Sequence, residues 1–163
     1  MLSEFQQKIV WDAMLSAEIR SAYFAELSGR YQRTQRRLVV GSLLLSSGAF
    51  LSLVTSTVPT SLSWVKPALA FMAAALSFWS LVAKNERSSI DAADLHFRWN
   101  MLAIDFQGVW ADIYAGDSAD RLAELRKREA ELSKSSTALP DDQSLMEKCQ
   151  ENVLMHHQQE LTA

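Results

Sequence analysis

The chain has 163 residues, is 48% apolar, and carries 16 basic against 19 acidic residues for a formal charge of −3. Its size and near-zero mean hydropathy fit one ordinary domain, and its lone cysteine, Cys149, excludes an internal disulfide and suits a reducing compartment. The average conceals blocks: residues 1–37 carry six Lys/Arg and four Asp/Glu, residues 38–83 carry Lys66 alone, and residues 84–163 carry nine basic against fifteen acidic residues.

Residues 1–37 read as an amphipathic helix with two adjacent apolar stripes. Leu2, Phe5, Ile9, Ser16, Ile19 and Tyr23 form one, and Val10, Met14, Ala17, Phe24, Leu27 and Tyr31 the other. No proline precedes Pro59, so a single helix from about Ser3 to Val58 is expected, with Gly29 a possible kink. An arm this thin has no core of its own, so C-terminal helices or neighbouring subunits must cover both stripes. No signal peptide is expected, because the first 37 residues are long, polar and helix-patterned.

Residues 38–58 contain no ionisable group, and at a rise of about 1.5 Å per residue they cover the roughly 30 Å hydrocarbon core of a bilayer. Residues 67–83 are a second uncharged run, lengthened if the helix starts at Leu62 and Lys66 snorkels to the headgroups. Residues 59–66 form a short hairpin loop flanked by Pro59 and Pro67, with Trp64 and Trp79 as interfacial anchors. The alternative is a buried hairpin in a soluble bundle, which would need polar residues on its outward face. Arg30, Arg33, Arg36 and Arg37 before the first span, and Lys84 and Arg87 after the second, place both termini on the cytoplasmic side of the membrane.

The first span is amphipathic within itself. Ser42, Ser46, Ala49, Ser52, Thr55 and Ser56 share a small or hydroxylic sector, and Leu45 offers an apolar constriction. Helix packing explains such a face, since Ser and Thr bond their own backbone. The sharper reading is a pore lined by these residues when several hairpins form a ring. Ala70, Ala73, Ala74 and Ser77 of the second span let helix backbones approach closely.

In residues 84–115, Leu95, Trp99, Leu102, Phe106, Val109 and Ile113 are spaced 4, 3, 4, 3 and 4 apart, a heptad seam read here as the oligomer interface. Asp91, Arg98, Asp105 and Asp112 recur every seven residues on another face, as a solvated or interface-rim stripe. In residues 116–163, Gly116 ends that helix and Ser118 caps the next, which carries Leu122, Leu125 and Leu132. Residues 136–142 are a linker, and Asp141 or Asp142 caps a last helix bearing Leu145, Met146, Cys149, Val153 and Leu161.

Chemistry is sparse. The histidines are His96 and the adjacent pair His156 and His157, and HExxH, CxxC, GxSxG and a glycine-rich phosphate loop are all missing. Adjacent helical residues point about 100° apart, so the pair reads as a solvated surface feature before a metal site. The expectation is no enzyme, with no catalytic residue, cofactor or metal. The acidic C-terminal half argues against general nucleic-acid binding.

A long polar helix with the run GRYQRTQRR, a span, a short hairpin, a second span and a helix with Trp99 and Trp110 resembles the SLATT family. These are two-transmembrane proteins associated with SMODS nucleotide synthetases and SLOG sensors, and the likeness covers most of residues 1–115. It implies a pore-forming effector of prokaryotic anti-phage defence in the bacterial inner membrane, gated by a nucleotide or oligonucleotide signal from a nucleotidyltransferase partner. Arg30, Arg33, Arg36 and Arg37 then have three readings: topology and lipid headgroups, phosphate of the signal, or salt bridges to Asp91, Asp94, Asp105 or Asp112.

The expected protein is thus an all-α membrane protein: a two-transmembrane hairpin with a long N-terminal cytoplasmic helix and C-terminal cytoplasmic helices. Its expected partners are membrane lipid and further copies of itself in an oligomeric bundle, with a tetramer as the expected count. The alternative is a non-conducting membrane anchor or scaffold that recruits a partner through its cytoplasmic helices.

Overall fold

A computed structural model describes residues 2–46, 68, 71–72, 74–75, 78–79 and 85–162. Among these the chain forms four long helices and no strand: α1 (Glu4–Ser46), α2 (Asn85–Ala111), α3 (Ser118–Ser136) and α4 (Gln143–Thr162). The all-α expectation therefore holds. Two compact units divide the chain, Met1–Ser28 with Ile90–Ala163, and Gly29–Ser89.

Local chemistry sets the helix ends in the first unit. At the start of α1 the Ser3 hydroxyl accepts from the Gln6 backbone N–H at 3.3 Å while the Gln6 side chain accepts from the Ser3 N–H at 2.9 Å, a reciprocal capping box. Before α4, the Asp142 carboxylate accepts from the Leu145 N–H at 3.0 Å, so Asp142 is the cap of the two aspartates expected there. Ser118 departs from expectation. It is fully buried, and its hydroxyl lies 2.6 Å from the Asp112 carbonyl and 2.8 Å from that of Ala115, so it ties the α2–α3 turn together instead of capping α3.

Polar contacts fix the helix directions in this unit. The Leu2 N–H donates to the Ile113 carbonyl at 3.0 Å and Ser21 meets His96, so α1 and α2 run antiparallel. Arg121 meets Asp112, Arg128 meets Asp105 and Trp99 meets Ser136, so α2 and α3 are antiparallel. Tyr23 meets Asp142 and Glu18 meets His157, which sets α4 antiparallel to α1. Short connections join α2 to α3 and α3 to α4, and the four helices alternate in direction.

α1 provides the shared surface. Val10, Met14, Ala17, Phe24 and Leu27 of the second expected stripe are buried along it, so the chain's own C-terminal helices cover that stripe; of the first only Leu2 and Tyr23 are buried, and Phe5 is 74% exposed. Within one turn, Arg20 reaches Ser133 of α3, Ser21 reaches His96 of α2, and Tyr23 reaches the loop before α4. α2 contributes Leu95, Trp99, Leu102, Phe106 and Val109, α3 Leu122, Leu125 and Leu132, and α4 Leu145 and Cys149. Full burial of side chains of this size removes apolar area from water at about 25 cal/mol per Å².

In the second unit, α1 continues to Ser46. Arg30, Arg33, Arg36 and Arg37 are exposed on it. Partial burial pushes the Tyr31 phenol above its usual range. Val39, Val40, Leu43, Leu44, Phe71, Met72, Phe78 and Trp79 are exposed apolar side chains of this unit.

Among the described residues, no helix is long and apolar enough to cross a membrane. This overturns the expected placement as a multi-pass protein of the bacterial inner membrane with both termini cytoplasmic. Within the described residues, α1 is charged as far as Arg37, and its uncharged stretch Leu38–Ser46 covers about 14 Å of a roughly 30 Å core. Most of the expected spans, residues 38–58 and 67–83, and the whole of loop 59–66 lie outside the described residues.

Two outcomes follow from this packing. Replacing Trp99 with Ala should lower unfolding free energy by about 3–5 kcal/mol, read by urea denaturation followed by circular dichroism. Tyr23→Phe removes the hydroxyl that donates to the Pro140 carbonyl and accepts from the Asp142 N–H. It should cost about 1–2 kcal/mol and speed proteolysis within residues 137–142.

Candidate interaction face

A residue advances about 100° around an α-helix, so positions seven apart return nearly to the same line. In α2, Leu95, Trp99, Leu102, Phe106 and Val109 fall on one side and are 5% exposed or less, with Ile113 half-buried just beyond the helix. These residues pack against the chain's own α1 and α3. The seam read as an oligomer interface is thus occupied within the chain. Trp99 shows why it is so firmly held: its indole N–H donates to the Ser136 hydroxyl at 3.1 Å, and the Arg20 guanidinium lies 4.8 Å from its ring centroid.

The opposite side of α2 is also apolar, and it is exposed. Ile90 (63%), Phe97 (62%), Met101 (39%) and Ile104 (49%) line it, with Ala93 exposed beside them. Ile90, Phe97 and Ile104 recur every seven residues, a second heptad series that sequence reading passed over because Asp91, Asp94, Arg98 and Asp105 are interleaved with it. Next to Phe97 and Met101, the α3 residues Arg128, Glu131, Leu132 and Ser135 complete a groove of about 440 Å³.

Ion pairs edge this face. Arg98 and Asp94 approach to 2.9 Å, Arg128 and Asp105 to 2.7 Å, and Arg121 and Asp112 to 3.1 Å. Three of the aspartates offered as partners for the arginine cluster therefore pair with arginines of α2 and α3. In the cluster itself, the Arg33 Nε–H donates to the Gly29 carbonyl at 3.1 Å.

The remaining polar groups tie the helices together. His96 Nδ1 lies 2.9 Å from the Ser21 carbonyl. The Glu18 carboxylate accepts from Gln107 at 2.9 Å and meets His157 Nε2 at 2.6 Å, linking α1, α2 and α4. Trp11 stands between Trp110 and His157, with ring centroids 5.4 and 5.7 Å away. His157 is therefore half-buried and engaged, unlike the solvated pair expected from sequence. Among the described residues, no group of three or more His, Cys, Asp or Glu side chains could hold a metal ion. A larger cavity of about 540 Å³ between α1 and the α3–α4 loop is lined by Arg20, Tyr23 and Asp141, but Arg20 and Tyr23 are engaged in the contacts given above.

Of the expected pore-lining residues, Ser42 lies on α1 and its hydroxyl donates to the Val39 carbonyl at 2.9 Å. Leu45 and Ser46 close α1, and Ala49, Ser52, Thr55 and Ser56 lie outside the described residues. The chain matches no known family, no curated protein and no solved structure. Because Phe97 takes no part in the chain's own core, Phe97→Ser should change unfolding free energy by less than about 0.5 kcal/mol at low protein concentration, in a urea titration run beside Trp99→Ala.

Proposed function

We propose that the chain is a non-catalytic helical scaffold that docks another helical surface through the outward face of α2. One observation carries this reading: α2 is apolar on two opposite sides, and the bundle covers only the side bearing Trp99. Soluble surfaces tolerate single exposed apolar residues, but a row at heptad spacing, edged by ion pairs and continued by a groove, has the anatomy of a helix-docking site. The groups that could have supported catalysis, His96, His157 and Glu18, are engaged in joining helices. This reading follows the scaffold alternative and rests wholly on described residues.

The test is a photo-crosslinking amino acid, p-benzoylphenylalanine, placed at Phe97 of the full chain in living bacteria. Irradiation should yield adducts of higher mass from this position and none from the same probe at Lys148 of α4. Absence of adducts at position 97 would remove the docking reading.

A further inference from the structure

α4 is held differently from the other helices of the first unit. Among its described side chains, Leu145 and Cys149 are the buried apolar ones, while Leu154 and Met155 are exposed. Of the largest fully buried side chains α4 supplies Leu145, against Trp99, Phe106, Leu102 and Val109 from α2. The polar ties from Leu2 to Ile113, Ser21 to His96, Trp99 to Ser136 and Arg128 to Asp105 join α1, α2 and α3 without any residue of α4. Those three helices therefore keep a core and a register of their own whether or not α4 is seated.

Along its middle α4 is loosely packed. A groove of about 400 Å³ is lined by Asp12, Ser16 and Ile19 of α1 and by Met146, Gln150 and Leu154 of α4. The 540 Å³ cavity at the α3–α4 loop shares Arg20 and Met146 with it. Protein interiors pack with few voids larger than a water molecule, so a seam with two such gaps forgoes much of the dispersion contact that resists parting.

Directional contacts hold the two ends. At one, the Tyr23 hydroxyl accepts from the Asp142 N–H at 3.0 Å and donates to the Pro140 carbonyl at 3.2 Å. At the other, His157 Nε2 meets the Glu18 carboxylate at 2.6 Å, and its ring lies 5.7 Å from that of Trp11. The receiving groups of this second contact do not depend on α4 for their position. Gln107 of α2 holds the same Glu18 carboxylate at 2.9 Å, and Trp110 of α2 lies 5.4 Å from Trp11.

We infer that α4 is a strap: it leaves α1 as one unit, hinged at residues 137–142, while α1, α2 and α3 stay packed, and Glu18 with His157 is its clasp. Opening uncovers Cys149, which is 6% exposed with the strap closed, so access to the chain's single thiol is gated by this motion. The preformed seat of Glu18 and Trp11 lets the strap close again without rebuilding its catch. None of the residues of the α2 docking face takes part.

Hydrogen exchange read by mass spectrometry, and alkylation of Cys149 by excess iodoacetamide, test this on the full chain across low urea concentrations. The α4 amides and Cys149 should open together, with a free energy that barely changes with urea. The Leu102 and Phe106 amides should exchange only through an opening as steep in urea as global unfolding. His157→Ala should speed Cys149 alkylation at least ~10-fold and keep the shallow urea slope, because it removes a hydrogen bond to a charged group.

Alkylation of Cys149 with the urea dependence of the Leu102 amide would mean that the thiol is reached only by global unfolding, and would overturn the strap in the unsubstituted chain itself. Exchange graded from Thr162 back toward Gln143 would mean fraying from the end and would overturn it too. An alkylation rate unchanged by His157→Ala would overturn the clasp.

Discussion

Everything in the first unit depends on α2 having to satisfy two apolar faces at once. A helix that is apolar on one side is content against a bundle, but α2 carries Trp99 and Phe106 on one side and Phe97 and Ile104 on the other. α1 and α3 cover the first side. Among the described residues, the second has only the rim of α3 beside it, which forms the groove with Leu132. Covering both with a single chain would need a further helix, and covering one with a partner needs only a complementary surface.

Directional polar contacts keep this division of labour in register. Burial of Trp99 alone would tolerate sliding along the helix, since apolar contact has little directional preference. Its hydrogen bond to Ser136, the Arg128–Asp105 pair and the Arg121–Asp112 pair recur about every two turns along α2 and α3 and select one register. Glu18, held by both Gln107 and His157, does the same for α1 between α2 and α4. With the register fixed, Phe97 is held on the outside, and the outward row stays straight.

The exposed ion pairs contribute little to stability, as solvent screens charges at this exposure. Their value lies in direction and partner choice, where like charges facing each other are penalised and opposite ones rewarded. Asp94 and Arg98 are on the same helix four residues apart, so they are compatible with each other in the single chain.

The amino-acid sequence determined the helical class, the place of α3, a linker that the structure confines to residues 137–142, an aspartate cap before α4 and the heptad seam from Leu95 to Val109, because these follow from local periodicity and capping. It could not say what would cover that seam. A heptad row reads the same whether its cover comes from another subunit or from α1 of the same chain, and only the folded arrangement showed that α1 and α3 fill it. The role of Ser118, the partners of Asp105 and Asp112, and the engagement of His157 with Glu18 join residues up to 139 positions apart. Tertiary structure alone decided these, because such pairings depend on which helix lies beside which, and the pattern within one helix carries no record of its neighbour.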